Sequence, residues 1–135
     1  MRMLIVAVGR LRPPYQDDVQ HYRKMLGRYA NVEAIELRDE EKVTGRIPEG
    51  AYLILLSPDG ETMDSLQFAK FIEERRREAR DVCFVLGGPR GLDLDACDMK
   101  LSFGPMTMPH QLARVVLIEQ IYRAHKIIAG EPYHY

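Results

Sequence analysis

Three short runs built wholly from apolar residues constrain this chain more than any other feature: Met3 to Val8 (MLIVAV), Ala51 to Leu56 (AYLILL) and Val82 to Leu86 (VCFVL). Each has strand length, and none alternates apolar with polar positions. A strand of that kind must be covered on both faces, which is the condition inside a parallel sheet. Each run also ends in a segment rich in Gly or Pro: Gly9 followed by Arg10 to Pro14, then Ser57-Pro58-Asp59-Gly60, then Gly87-Gly88-Pro89-Arg90-Gly91. Gly and Pro supply turn conformations, so each run is expected to stop there.

The intervening segments read as helices. Tyr15, Val19, Tyr22, Leu26 and Tyr29 recur at spacings of 4, 3, 4 and 3, which lines one helical face, with Asp17 and Asp18 in the first turns. A second helix is expected from Asp64 to Ala79, where Asp64 and Gln67 stand in capping-box positions. A third opens at Pro109, reaches Ala129 and stops before Gly130 and Pro132. Val32 to Leu37 is strand-like but ragged, and Arg38 to Gly50 reads as a charged loop. Leu92 to Met99 has room for a short helical turn and Lys100 to Phe103 for a short strand. Strands alternating with helices predict an α/β architecture with a mostly parallel sheet flanked by helices. A chain of 135 residues suits one domain spanning 1–135.

Charge narrows the function classes. With 19 basic and 20 acidic residues the chain is not polycationic, so nucleic-acid binding would have to use a local basic patch. The longest stretch without a charged residue, Leu101 to Ala113, holds 13 residues and two prolines, against the ~20 a membrane-spanning helix needs. Met3 to Val8 is too short for the apolar region of a secretory signal, so a cytoplasmic location is expected. Cys83 and Cys97 sit in apolar surroundings without CxxC spacing, and the four histidines show no ligand spacing. Buried thiols and no metal are the expectation.

In an open parallel sheet, ligands bind beyond the carboxyl ends of the strands. Three loops qualify: Ser57 to Gly60, Gly87 to Gly91, and Phe103 to Met108. The GGPRG segment is neither GxGxxG nor a P-loop, and its glycines suit close main-chain approach to a ligand as well as they suit a tight turn. On the last helix, Glu119, Arg123 and Lys126 form a solvated stripe. Arg114 falls on the opposite, apolar side near His110, Ile118, Ile121 and His125, where either ligand contact or an ion pair would account for it. His110 can serve as acid, base or donor, or simply as a structural residue. The run Val115 to Ile118 suggests a helix buried on two sides, by its own sheet and by a second subunit. Arg10, Arg12 and Arg90 stand on loops, where basic side chains can meet phosphates.

LGGPRGL (Leu86 to Leu92), LSFGPMTMPHQLARVVLIEQIYRAHKI (Leu101 to Ile127), the terminal GEPYH (Gly130 to His134) and the opening AVGRL (Ala7 to Leu11) strongly resemble the ribosomal RNA large-subunit methyltransferase H family. These are small SPOUT-class enzymes that methylate a pseudouridine of large-subunit rRNA. The resemblance spans nearly the whole chain and is weakest between Arg38 and Gly50, where this sequence is shorter. It implies a SPOUT-type α/β knot with a carboxyl-terminal trefoil knot, a homodimer, S-adenosylmethionine as cofactor, and methylation at N3 of a pseudouridine in 23S rRNA within the ribosome. By position it implies Leu56, Gly87, Phe103, Gly104, Pro105, Met106, Thr107 and Met108 as cofactor-binding residues. Arg114, His110 and His134 are the catalytic candidates, and the terminal Tyr135, which stands where relatives commonly carry a basic residue, is a further candidate for the base. Gly87→Val is expected to block cofactor binding without disturbing the fold. Two other readings stay open: a non-catalytic RNA- or nucleotide-binding module of the same fold, and a small-molecule enzyme that binds phosphate through GGPRG.

Overall fold

The computed structural model describes residues 1–89 and 91–133; Arg90, His134 and Tyr135 lie outside the described residues. Its strands are β1 (Arg2–Val8), β2 (Asn31–Leu37), β3 (Tyr52–Thr62), β4 (Val82–Leu86) and β5 (Met99–Ser102), and its helices are α1 (Tyr15–Leu26), α2 (Ser65–Arg77) and α3 (His110–Ile128). All pairings are parallel, in the order β2-β1-β4-β3-β5. The three fully apolar runs are therefore the three interior strands. The ragged segment is an edge, where Asn31, Ala34 and Glu36 of β2 stay exposed, and the short β5 is the other.

Chain direction explains how the two faces are covered. The steps β1 to β2 and β3 to β4 move toward the β2 edge and carry α1 and α2. The steps β2 to β3 and β4 to β5 move the opposite way and carry irregular chain. Crossovers between parallel strands are right-handed, so opposite steps place their connections on opposite faces. Accordingly Met3, Ile5, Ala7, Ile54 and Phe84 pack with Val19, Leu26, Phe68, Ile72, Leu117 and Ile121 of the three helices. Leu4, Val6, Leu53, Leu55 and Val85 pack beneath Val43, Ile47, Leu92 and Leu94 of the two irregular connections. Helix α3 lies against both α1 and α2.

Three expectations need correction. Ser57 to Gly60 does not end its strand: Leu56 and Glu61 both pair with Leu101, so β3 continues past an excursion at 57–60. The ladder to β5 is strong enough to resume beyond the Pro-Gly segment. Gly60 permits this because a Cβ there would stand 2.6 Å from the Lys100 carbonyl. The segment from Leu92 to Met99 contains a turn at residues 95–96 and no helix, since Leu92 and Leu94 are drawn onto the sheet. The Arg38–Gly50 loop contains two 3-10 turns, Glu40–Lys42 and Thr44–Arg46, around fully buried Val43.

Candidate cofactor and active site

Because every strand runs the same way, the loops after β1, β3, β4 and β5 emerge at one end of the sheet. There the loops after β3, β4 and β5, with the start of α3, enclose a cavity of about 860 Å³, within the roughly 300 to 1,000 Å³ usual for small-molecule sites. Its wall brings together Leu56, Gly87, Phe103, Gly104, Met106, Thr107, Met108 and His110; Pro105 and Arg114 are not among the lining residues. Asp59 of the Ser57–Gly60 loop also lines it, as do Asp93 and Lys100, which sequence reasoning missed. Lys100 Nζ lies 3.2 Å from Asp93 Oδ1, and that hydrogen bond raises the lysine pKa. Their only signal was position next to the glycine-rich and apolar segments.

The wall is held by main chain and by small, specific bonds. Buried Ser102 lies within hydrogen-bond reach of the Pro58 carbonyl (3.2 Å) and accepts from the Gly104 N–H (3.0 Å), tying the loop after β5 to the excursion in β3. Gly104 has φ +121°, a conformation that disfavours side chains. Gly87 is confined for a different reason from the one expected. A Cβ there would stand 2.6 Å from main-chain atoms of Gly91 and Leu92, so Gly87→Val would deform the loop itself and is no clean test of ligand approach.

Arg114 is buried, and its charge is matched within the same chain. One terminal nitrogen donates to Glu36 Oε2 at 2.7 Å and the other to the Gly9 carbonyl at 3.0 Å. Burial pushes the Glu36 pKa upward, but the Leu11 N–H and Arg114 outweigh it, and the net result is a lowered value. His110, half-buried at the start of α3, has a lowered pKa because of burial first and the charges of Arg114 and Arg12 second. Its imidazole is therefore neutral at pH 7 and able to accept a proton.

His134, Tyr135 and Arg90 belong to the residues not described. Tyr133, just before His134, packs on Tyr122 and Arg123, roughly 20 Å of helix away from His110 at 1.5 Å per residue. Both cysteines are free, and burial pushes the Cys83 thiol up to about 11. Among the described residues no group of His, Cys, Asp and Glu could hold a metal ion, and no helix is long and apolar enough to cross a membrane.

A parallel α/β sheet whose strand-end loops wall a cavity, with glycines among the lining residues, is an arrangement suited to one organic ligand held by shape and backbone. The chain belongs to the SPOUT methyltransferase family: the family model described as "Predicted SPOUT methyltransferase" matches residues 1–134. Among similar proteins, the "Ribosomal RNA large subunit methyltransferase H" of Paracoccus denitrificans is 41% identical over 154 residues. Those of Carboxydothermus hydrogenoformans and Gemmatimonas aurantiaca are 39% and 37% identical over 158 and 153. Each alignment covers 99% of both chains. Set against 135 residues here, these lengths leave about 20 positions without a counterpart in this chain.

Proposed function

We propose that this methyltransferase uses S-adenosylmethionine to methylate N3 of a pseudouridine in large-subunit (23S) rRNA, acting as a cytoplasmic homodimer on the ribosome. The observation that carries this reading is the cavity. Seven of the eight positions that the family resemblance assigns to the cofactor line one wall system, and the volume and apolar-plus-main-chain character suit an adenosyl group with an amino-acid tail. When bound, S-adenosylmethionine supplies an already activated methyl group. The chain's own tasks are then to orient, to exclude water and to handle one proton. Leu56, Leu92 and Phe103 exclude water, and main chain at Gly87 and Gly104 holds the ligand. Neutral His110 accepts the proton that N3 of the base must lose.

In this reading Arg114 serves the site at one remove, through the loop it holds. The close passage of residues 57–60 against 100–104 supports a knotted carboxyl-terminal segment. Homodimer formation through α3 is supported by an apolar hollow of about 580 Å³ between α2 and α3, lined by Met63, Leu66 and Val116; Leu66 is 56% exposed.

Calorimetry with S-adenosylmethionine, S-adenosylhomocysteine and ATP tests the cofactor, with binding expected for the first two and none for ATP. Labelled methyl transfer to ribosomes whose rRNA carries pseudouridine, compared with ribosomes carrying uridine there, tests the acceptor. Binding without transfer to either would favour the non-catalytic module, and ATP binding alone would favour the phosphate-binding enzyme.

A further inference from the structure

The loop between β1 and α1 carries two arginines that the chemistry above does not use. Arg10 and Arg12 are exposed, and neither side chain forms an ion pair or hydrogen bond with a described residue. An unpaired arginine on a free loop would be unremarkable, but this loop is held firmly. Gln111 of α3 accepts from the Arg12 N–H at 2.9 Å and donates to the Arg10 carbonyl at 3.1 Å. Glu36 of β2 accepts from the Leu11 N–H at 2.7 Å, and Arg114 donates to the Gly9 carbonyl while pairing with that same Glu36. The direct partner of Glu36 is the buried Arg114, and Arg10 acts on that carboxylate only from a distance, so neither Arg10 nor Arg12 holds an ion pair among the described residues.

Their position is equally specific. Gln111 follows His110, which lines the cavity. A Cβ on Gly88, another lining residue, would lie 3.7 Å from Val8 at the root of the loop. Two arginines on a rigid segment tied to Gln111, with the Arg12 charge felt at the cavity residue His110, suit the phosphodiester backbone of a polynucleotide whose base enters that cavity. The overall charge of −1 makes such a local patch the natural place for RNA contact.

We propose that the Gly9–Pro14 loop is an RNA-backbone clamp, with Arg10 and Arg12 contacting phosphates beside the target nucleotide, and with Arg114, Glu36 and Gln111 as positioning residues. This rests on the rRNA reading above, but it is read by a separate measurement. Filter retention of a large-subunit rRNA fragment is measured against salt for the full chain and for the Arg10→Ala/Arg12→Ala double variant. Each lost phosphate contact should flatten the log–log salt slope by roughly 0.7 to 0.9. RNA affinity should fall about 10-fold or more, and the KM for ribosomes should rise with it while kcat changes little. Arg10→Lys/Arg12→Lys should recover most of the affinity. Arg114→Lys should weaken RNA retention in the wild-type background and add little in the double variant, as expected for a residue acting through the loop. Cofactor affinity by calorimetry should be unchanged in the double variant. An unaltered salt slope and affinity in Arg10→Ala/Arg12→Ala would overturn the clamp, whatever the methyl-transfer result. Loss of RNA retention in a protein that transfers no methyl group would uphold the clamp and remove the methyltransferase reading instead.

Discussion

Arg114 shows how one side chain can organise a site it does not line. Its planar fork reaches two acceptors on different elements, and a lysine reaches one, so Arg114→Lys should destabilise the fold by about 1 to 3 kcal/mol. Urea denaturation measures this, and an unchanged midpoint would show the second bond to be dispensable. The sequence placed Arg114 on the apolar side of its helix but left its partner open, because Glu36 is 78 residues away and no local pattern links them. His110 gives a second prediction. Its pKa lies below the ordinary value of 6.5, so if it accepts the N3 proton, kcat/KM should hold steady above pH 6.5 and fall only on the acid side. His110→Asn should lower kcat and abolish that limb. For the cavity itself, Ala113 is a better probe than Gly87, since it lines the wall from a helix. Ala113→Leu should cut S-adenosylmethionine affinity at least ~10-fold by calorimetry without a large change in melting temperature.

At the scale of elements, α2 behaves as its sequence dictates. The Asp64 side chain accepts from the Gln67 N–H at 2.7 Å, and the Gln67 side chain accepts from the Asp64 N–H at 2.8 Å. Asp64→Ala should cost about 1 kcal/mol, read as a lower urea midpoint with unchanged slope. Helix periodicity and capping were legible because they depend on residues within one or two turns. The β3 excursion was not, because Ser57-Pro58-Asp59-Gly60 ends an isolated strand and is overridden only by pairing with β5 on both sides. The ragged appearance of β2 was legible as a weak strand, yet its edge position depended on where the other four lie.

For the whole molecule, Val115 to Ile118 divides in a way that periodicity had merged. Ile118 is buried at 1% within one copy, so Ile118→Asp would unfold the chain and says nothing about a dimer. Val116 is half-buried at the apolar hollow, and Val116→Asp should convert a dimer to a folded monomer in sedimentation. A wild type that sediments as a monomer at micromolar concentration would refute the dimer. Acid stability is also a property of the whole. Burial lowers the pKa of His125 despite its bond to the Ile121 carbonyl, and Nε2 has no hydrogen-bond partner among the described residues. The folded protein keeps this imidazole neutral while the unfolded chain protonates near 6.5. Its contribution is thus complete above pH 6.5 and is lost progressively below it, levelling once the folded value is passed. The fall in urea midpoint between pH 7 and 5 should be shallower in His125→Leu; an equal fall would assign the effect elsewhere.

What the sequence determined by itself was everything carried by near neighbours. It set the three covered strands, the three helices and their approximate ends, the parallel class, and most of the loop segments that wall the cavity. Tertiary structure alone decided the strand order β2-β1-β4-β3-β5, and with it the gathering of all three helices on one face. It also decided that Arg114 would hold the loop of Arg10 and Arg12 rather than line the cavity. Hydrophobic periodicity records how much of a segment is buried, but not which distant segment buries it. That choice belongs to right-handed crossovers and to polar pairs far apart in the chain, which form only once the sheet has its order.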